Sequence, residues 1–307
     1  MGSVGETSTD VVIEGSGTAD PSLFDGVRWV HHSGPYKGLS FSFEFRTNDA
    51  ELGGHVETLL ASLRIGGQGP SHVYSLLSLE SGSFDLYLGD RRIALLASSG
   101  RAVEWLLWDI NRAAAAASDG YLLLHAGAVQ AGHRAVLLPA PSGGGKSTLV
   151  AGLVQRGLGY LSDELIALDG GGSRVLPYPK PISLKAGSFH LFAGLPGQPD
   201  PSSRFVDDEW YLRPDDIRPN AIGGPSEPFI LIVPNFAAER TTTLTALSST
   251  EAFLALTINS VNLEKHGERG AQTLASVVAQ CDAYELVMSN LDEACKLVLN
   301  VIGEGVQ

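Results

Sequence analysis

The sequence predicts an α/β protein, and three observations carry that expectation. Phe41, Phe43 and Phe45 alternate with Ser42 and Glu44, the period of a half-buried strand. Leu52, Val56, Leu59, Leu60 and Leu63 then fall on one face of a helix that Thr47, Asn48 or Asp49 can cap. Further on, the glycine-rich run Ser142-Gly143-Gly144-Gly145-Lys146-Ser147 sits between an apolar strand and an amphipathic helix.

The remaining elements follow in order. Residues 1–20, rich in Gly, Ser, Thr and Asp, read as a flexible leader. Residues 73–79, 84–88 and 92–96 read as strands, the last two joined by a Gly89-Asp90 turn. Residues 103–117 read as a helix ended by Ser118-Asp119-Gly120. An apolar strand over 121–130, a turn at Ala131-Gly132-His133 and a strand over 134–138 lead into the glycine-rich run. The helix after it buries Leu149, Val150, Leu153 and Val154 and stops at Gly157. Strands are expected over 158–162, 166–168, 229–233 and 283–288, and helices after the capping box Ser248–Glu251, over 270–280 and after Asn290. Residues 194–228, rich in Gly, Pro and Asp, read as a long loop. The division expected is a leader (1–20), a smaller N-terminal α/β lobe (21–115) and a catalytic domain (116–307).

Composition narrows the function classes. A formal net charge of −13 argues against a nucleic-acid partner held through its phosphates. Cys281 and Cys295 lack CxxC spacing, which suits a reducing compartment. Residues 1–6 show no basic or apolar signal segment, and no apolar run approaches a membrane span, so the expectation is a cytoplasmic protein away from the membrane.

Gly145-Lys146-Ser147 supplies the core of a P-loop, Gly-x-x-x-x-Gly-Lys-[Ser/Thr], with Ala140 in place of the first glycine. Glycines 143, 144 and 145 let backbone N–H groups converge on phosphate oxygens. Lys146 is suited to the β- and γ-phosphates and Ser147 to Mg²⁺. The loop alone does not choose between kinase, ATPase and GTPase. Its companions are His125, after Leu122-Leu123-Leu124, and the pair Asp163-Glu164 beyond the loop's helix; such carboxylates hold Mg²⁺ or accept a hydroxyl proton.

These segments together, Leu124-His125-Ala126-Gly127-Ala128-Val129, then 141–148, then Arg156-Gly157 through Asp163-Glu164, resemble the core of the HPr kinase/phosphorylase family and, more distantly, PEP carboxykinase. The likeness is clearest over residues 120–190 and extends to Pro177-Tyr178-Pro179-Lys180-Pro181 and Lys185-Ala186-Gly187-Ser188. It is closest to the HPr-kinase-like proteins of bacterial biosynthetic clusters, some of which phosphorylate a serine hydroxyl on a peptide or a free amino acid. Family members carry Asp-Asp where this chain has Asp163-Glu164, and the family's HPr-docking signature is not seen in the last third.

The resemblance implies a P-loop kinase core with ATP (or GTP) and Mg²⁺ as cofactors. Ser142, Gly143, Gly144, Gly145, Lys146, Ser147 and Thr148 would take the nucleotide, and Ser147 and Glu164 the metal. Asp163 would be the catalytic base with His125 orienting it, although spacing alone leaves Asp163 and Glu164 free to exchange roles. Lys180, Lys185, Arg204, Arg213 and Arg240 could each steady the transferring phosphate; Arg213 and Lys180, near proline-rich turns, fit best, and Arg213 is expected to be catalytic. The expected activity is transfer of the γ-phosphate to a hydroxyl of a small metabolite or peptide serine. The alternative is a nucleotide-binding regulator with little transfer; a homo-oligomer is left open.

Overall fold

The computed structural model describes residues 11–12, 24–67, 72–195, 205 and 209–304. It divides into two compact units. One holds the described residues up to Ala113 together with those of the segment Pro199–Glu209; the other holds the rest. The leader expected over residues 1–20 lies outside the described residues apart from Val11 and Val12, and Arg204 lies outside them too.

The first unit is built on six strands: β1 (Val11–Val12), β2 (His31–Gly38), β3 (Phe41–Thr47), β4 (His72–Ser78), β5 (Phe84–Leu88) and β6 (Arg91–Leu96). Their order is β1-β6-β5-β4-β3-β2. β3 and β4 pair in parallel, linked through α1 (Ala50–Leu59), while the other neighbours are antiparallel. The Asp49 side chain caps α1 by accepting from Leu52 N at 3.0 Å, and the helix buries Leu52, Val56 and Leu59. The sequence pattern shows no strand at β2, because Gly34-Pro35 interrupts it. As an edge strand β2 absorbs them in a register shift between Ser33 and Tyr36. α2 (Ser99–Ala116) follows β6, and its residues from Ala114 on are counted with the other unit.

The second unit has β7 (Leu122–Ala131), β8 (Arg134–Pro139), α3 (Lys146–Gln155), β9 (Gly159–Ser162), β10 (Leu165–Leu168) and β11 (Val175–Leu176). It continues with β12 (Ile182–Lys185), β13 (Glu209–Leu212, whose first residue is counted with the first unit), α4 (Pro214–Ile217), β14 (Glu227–Phe236) and β15 (Thr243–Ala246). Last come α5 (Ser249–Ile258), α6 (Leu263–Gln280, kinked at Gly267), β16 (Asp282–Met288) and α7 (Leu291–Glu304). The main sheet runs β11-β10-β7-β8-β14-β16-β15, with β9 also on β7 and β12 paired to β13 outside it. β8, β14 and β16 are mutually parallel.

Alternation along β8 sorts its side chains to two cores. Val136 and Leu138 join the layer of α3 and α7, and Ala135 and Leu137 join that of α5 and α6. A sheet buried on both faces explains why residues 135–138 read as one apolar run. The same period assigns β7: Leu122, Leu124, Ala126 and Ala128 lie in the α5/α6 core, so His125, Gly127 and Val129 face α3. A side chain at Gly127 would meet Val150 Cγ2 at 2.7 Å, so α3 packs tightly on this strand.

The long loop expected over 194–228 needs correction. Its described part contains β13 and the one-turn helix α4, because Trp210 and Leu212 alternate inward and Pro214 opens the turn. Trp210 is a core residue in edge contact with Phe189. Among the described residues no helix is long and apolar enough to cross a membrane.

Candidate active site

Residues 140–145 join β8 to α3. Gly143 (φ 83°) and Gly145 (φ 86°) occupy the left-handed region that favours glycine. Gly144 is required for a different reason: a Cβ there would lie 3.0 Å from Ala140 Cβ and 3.2 Å from the carbonyl oxygens of Pro141 and Pro234. Ala140 is buried and keeps a negative φ, so the missing first glycine is not needed at that position. Gly145 is the N-cap of α3 and offers no side-chain cap, and the first intrahelical bond runs from Leu149 N to Gly145 O at 2.9 Å. The first-turn N–H groups of Lys146, Ser147 and Thr148 thus point out of the helix end, where the helix dipole favours an anion.

Lys146 is buried and folds back on the loop, with Nζ donating to Ala140 O at 2.6 Å and Pro141 O at 3.0 Å. Burial pushes its pKa down to about 8; Asp163 and Glu164 act against that shift and Lys185 with it.

Asp163 and Glu164 occupy the turn between β9 and β10. Strand pairing brings them to His125, since Leu165 is opposite His125 and Ala126 N donates to Glu164 O at 3.1 Å. Asp163 is 1% exposed and its oxygens take four donors. Oδ1 accepts from Lys180 Nζ at 2.9 Å and Tyr160 OH at 3.0 Å; Oδ2 accepts from Ser147 Oγ at 2.8 Å and Ser183 N at 3.1 Å. These fill roughly all four lone-pair sites of a carboxylate. Lys180 Nζ also lies 3.1 Å from Glu164 Oε2, and the Glu164 side chain is 40% exposed. Burial works against the charge on Lys180, but Asp163 and Glu164 outweigh it and the pKa is raised. Burial raises the Tyr160 phenol well above its ordinary value, reinforced by Asp163, so it stays a donor. His125 is half-buried; burial and then Lys146 lower its pKa, with the two carboxylates opposing. The Lys185–Ser188 stretch also reaches the helix start, where Ser188 Oγ and Thr148 Oγ1 are 2.7 Å apart.

The fold therefore gathers the 142–148 loop, Asp163 and Glu164, with His125 on the same face of the sheet. Arg213 does not join them: its guanidinium pairs with Asp216, three residues on in α4, which also raises its pKa. The cation at the acidic pair is Lys180. Tyr160 and the Ser183 amide complete the shell; Tyr160 lies within the 156–164 segment and Lys180 within 177–181, but spacing marks neither side chain as a partner of Asp163. Among the described residues no group of three or more His, Cys, Asp or Glu side chains could hold a metal ion. A hydroxyl beside a carboxylate, as at Ser147 and Asp163, instead fits the way Mg²⁺ is held through few protein oxygens plus phosphate.

No protein-family model and no curated protein matches the chain. Among solved structures it is similar to the Hpr(Ser) kinase/phosphatase from Coxiella burnetii, at 12% identity over 60% of this chain and 99% of that one, with a TM-score of 0.31.

Proposed function

We propose that this chain is a Mg²⁺-dependent kinase that moves the γ-phosphate of ATP or GTP to a hydroxyl of a small metabolite or a peptide serine. The observation that carries the reading is the 2.8 Å hydrogen bond from Ser147 Oγ to Asp163 Oδ2, which joins the glycine-rich loop to the acidic pair. The loop amides and the first turn of α3 receive the phosphates. Lys146 exchanges its bonds to Ala140 O and Pro141 O for β- and γ-phosphate oxygens. Ser147 would hold Mg²⁺, with Asp163 behind it through their hydrogen bond, and the metal when bound would supply positive charge to the transferred group.

The contacts favour the exchange that spacing left open. Asp163 is buried, accepts from four donors and touches the loop's own hydroxyl, so it is closed to an acceptor's proton and suits positioning Ser147 at the metal. Glu164 is partly exposed and positioned by Lys180, so it is the carboxylate able to take the acceptor's proton. Lys180 pairs with both carboxylates, and His125, opposite Leu165 on the neighbouring strand, would orient Glu164. As the acceptor oxygen bonds to the γ-phosphorus, its proton passes to Glu164 and the nucleoside diphosphate leaves.

The test is transfer of label from γ-labelled ATP or GTP, with Mg²⁺, to serine-bearing peptides and free hydroxyl metabolites, run beside Lys146→Met. Acceptor labelling that Lys146→Met abolishes is the expected result. Nucleotide binding without transfer to any acceptor class would favour the regulator instead.

A further inference from the structure

β14 runs parallel to β8 and ends at Phe236, beside the glycine-rich loop. Phe236 is 55% exposed, yet its Cβ lies 3.5 Å from where a Cβ on Gly145 would stand. Met288, the last residue of β16, approaches the same point from the next strand. Ala237 N donates to Met288 O at 2.9 Å, so the two strand ends are tied together. Just beyond, Thr242 Oγ1 accepts from Ser289 N and Asn290 N, each at 3.2 Å. This makes a fixed shelf with an aromatic ring standing in water on it.

Strand order decides what the shelf faces. His125 belongs to β7 and Asp163 and Glu164 to the β9–β10 turn, on one flank of β8; Phe236 and Met288 belong to β14 and β16, on the other. On the phosphate reading above, a phosphate chain with its reacting end at Ser147 and Asp163 would run across the loop toward Phe236. Ligands of open α/β sheets lie at the carboxyl ends of the strands, where this ring stands.

Resting on the phosphate reading above, we infer that Phe236 is the stacking platform for the nucleobase. A π face is offered to either purine, because stacking is tolerant of base identity. The ring then contributes to affinity for the nucleoside part and not for the phosphates.

The experiment is calorimetric titration of the full chain with Mg²⁺-ATP, Mg²⁺-GTP and Mg²⁺-tripolyphosphate, for wild type, Phe236→Ala and Phe236→Tyr. Phe236→Ala should weaken both nucleotides by roughly 5- to 100-fold, leave tripolyphosphate within about twofold, and be rescued by Phe236→Tyr. A Phe236→Trp variant should show fluorescence quenching by nucleotide but not by tripolyphosphate. Equal weakening of nucleotide and tripolyphosphate would make Phe236 a prop for the loop and overturn the inference, as would unchanged nucleotide affinity in Phe236→Ala. Wild-type protein that binds neither kind of ligand would overturn the phosphate reading, and this inference with it.

Discussion

Ser147 and Asp163, sixteen residues apart in sequence, meet through a 2.8 Å hydrogen bond from hydroxyl to carboxylate. Two separate segments, the start of α3 and the β9–β10 turn, are thereby held as one site. If the pair holds Mg²⁺, Ser147→Ala should weaken nucleotide binding by about 10- to 100-fold when Mg²⁺ is present and much less in its absence. Titrations with and without Mg²⁺ read this directly. Equal losses in both would place Ser147 outside the metal site.

The two carboxylates separate by mutation. Glu164→Gln should keep Mg²⁺-nucleotide affinity while transfer falls by about 10²-fold or more. Asp163→Asn should weaken Mg²⁺-dependent binding itself. Retained transfer in Glu164→Gln with loss in Asp163→Asn at unchanged affinity would restore Asp163 as the base.

Asp163 also matters to stability. Lys180 is buried against it, so Asp163→Ala strands a buried ammonium with Glu164 as its remaining partner and should cost about 3 kcal/mol. Adding Lys180→Met should recover part of the loss, since an apolar replacement removes the unpaired charge. Urea unfolding midpoints of the single and double variants test this; no recovery would mean that the ion pair is not the source of the loss.

Lys146 gives a pH signature. With a pKa near 8 in the free protein it is partly neutral at pH 8, and a phosphate ligand requires it charged. Binding at pH 8 should take up about half a proton, falling toward none near pH 6.5 and rising above pH 8. The sign for folding agrees: a lowered lysine pKa penalises the folded state most below about pH 8, and the penalty is relieved as pH climbs toward the unfolded value. Calorimetry in buffers of different ionisation enthalpy measures the uptake, and Lys146→Arg, which cannot titrate, should abolish it.

Arg213→Ala should leave transfer within about twofold of wild type and cost at most about 1 kcal/mol, because its partner is Asp216 near the surface. A large fall in transfer with normal stability would return Arg213 to the catalytic set.

Much of this fold is written locally. The Phe41/Phe43/Phe45 alternation became β3, Asp49 became the cap of α1, and Ser248 and Glu251 form the capping box of α5. In each case the signal lies within a few residues. The loop was legible for the same reason, since its glycines answer to local φ angles and close backbone contacts. What stayed hidden is tertiary. Lys180 reaches Asp163 across seventeen residues and two short strands, while Arg213, equally basic and equally near prolines, is held by Asp216. Residue type and spacing do not separate those two. Nor do they separate Asp163 from Glu164, which differ only in which one turns inward to Ser147.

The most direct measurement is titration of Mg²⁺-ATP and Mg²⁺-GTP into the wild-type chain and Lys146→Met at pH 7. Saturable one-to-one binding of at least one of them by wild type, weakened at least tenfold in Lys146→Met, is the predicted result. Wild type that binds no adenine or guanine nucleotide, or Lys146→Met that binds as tightly as wild type, would contradict it.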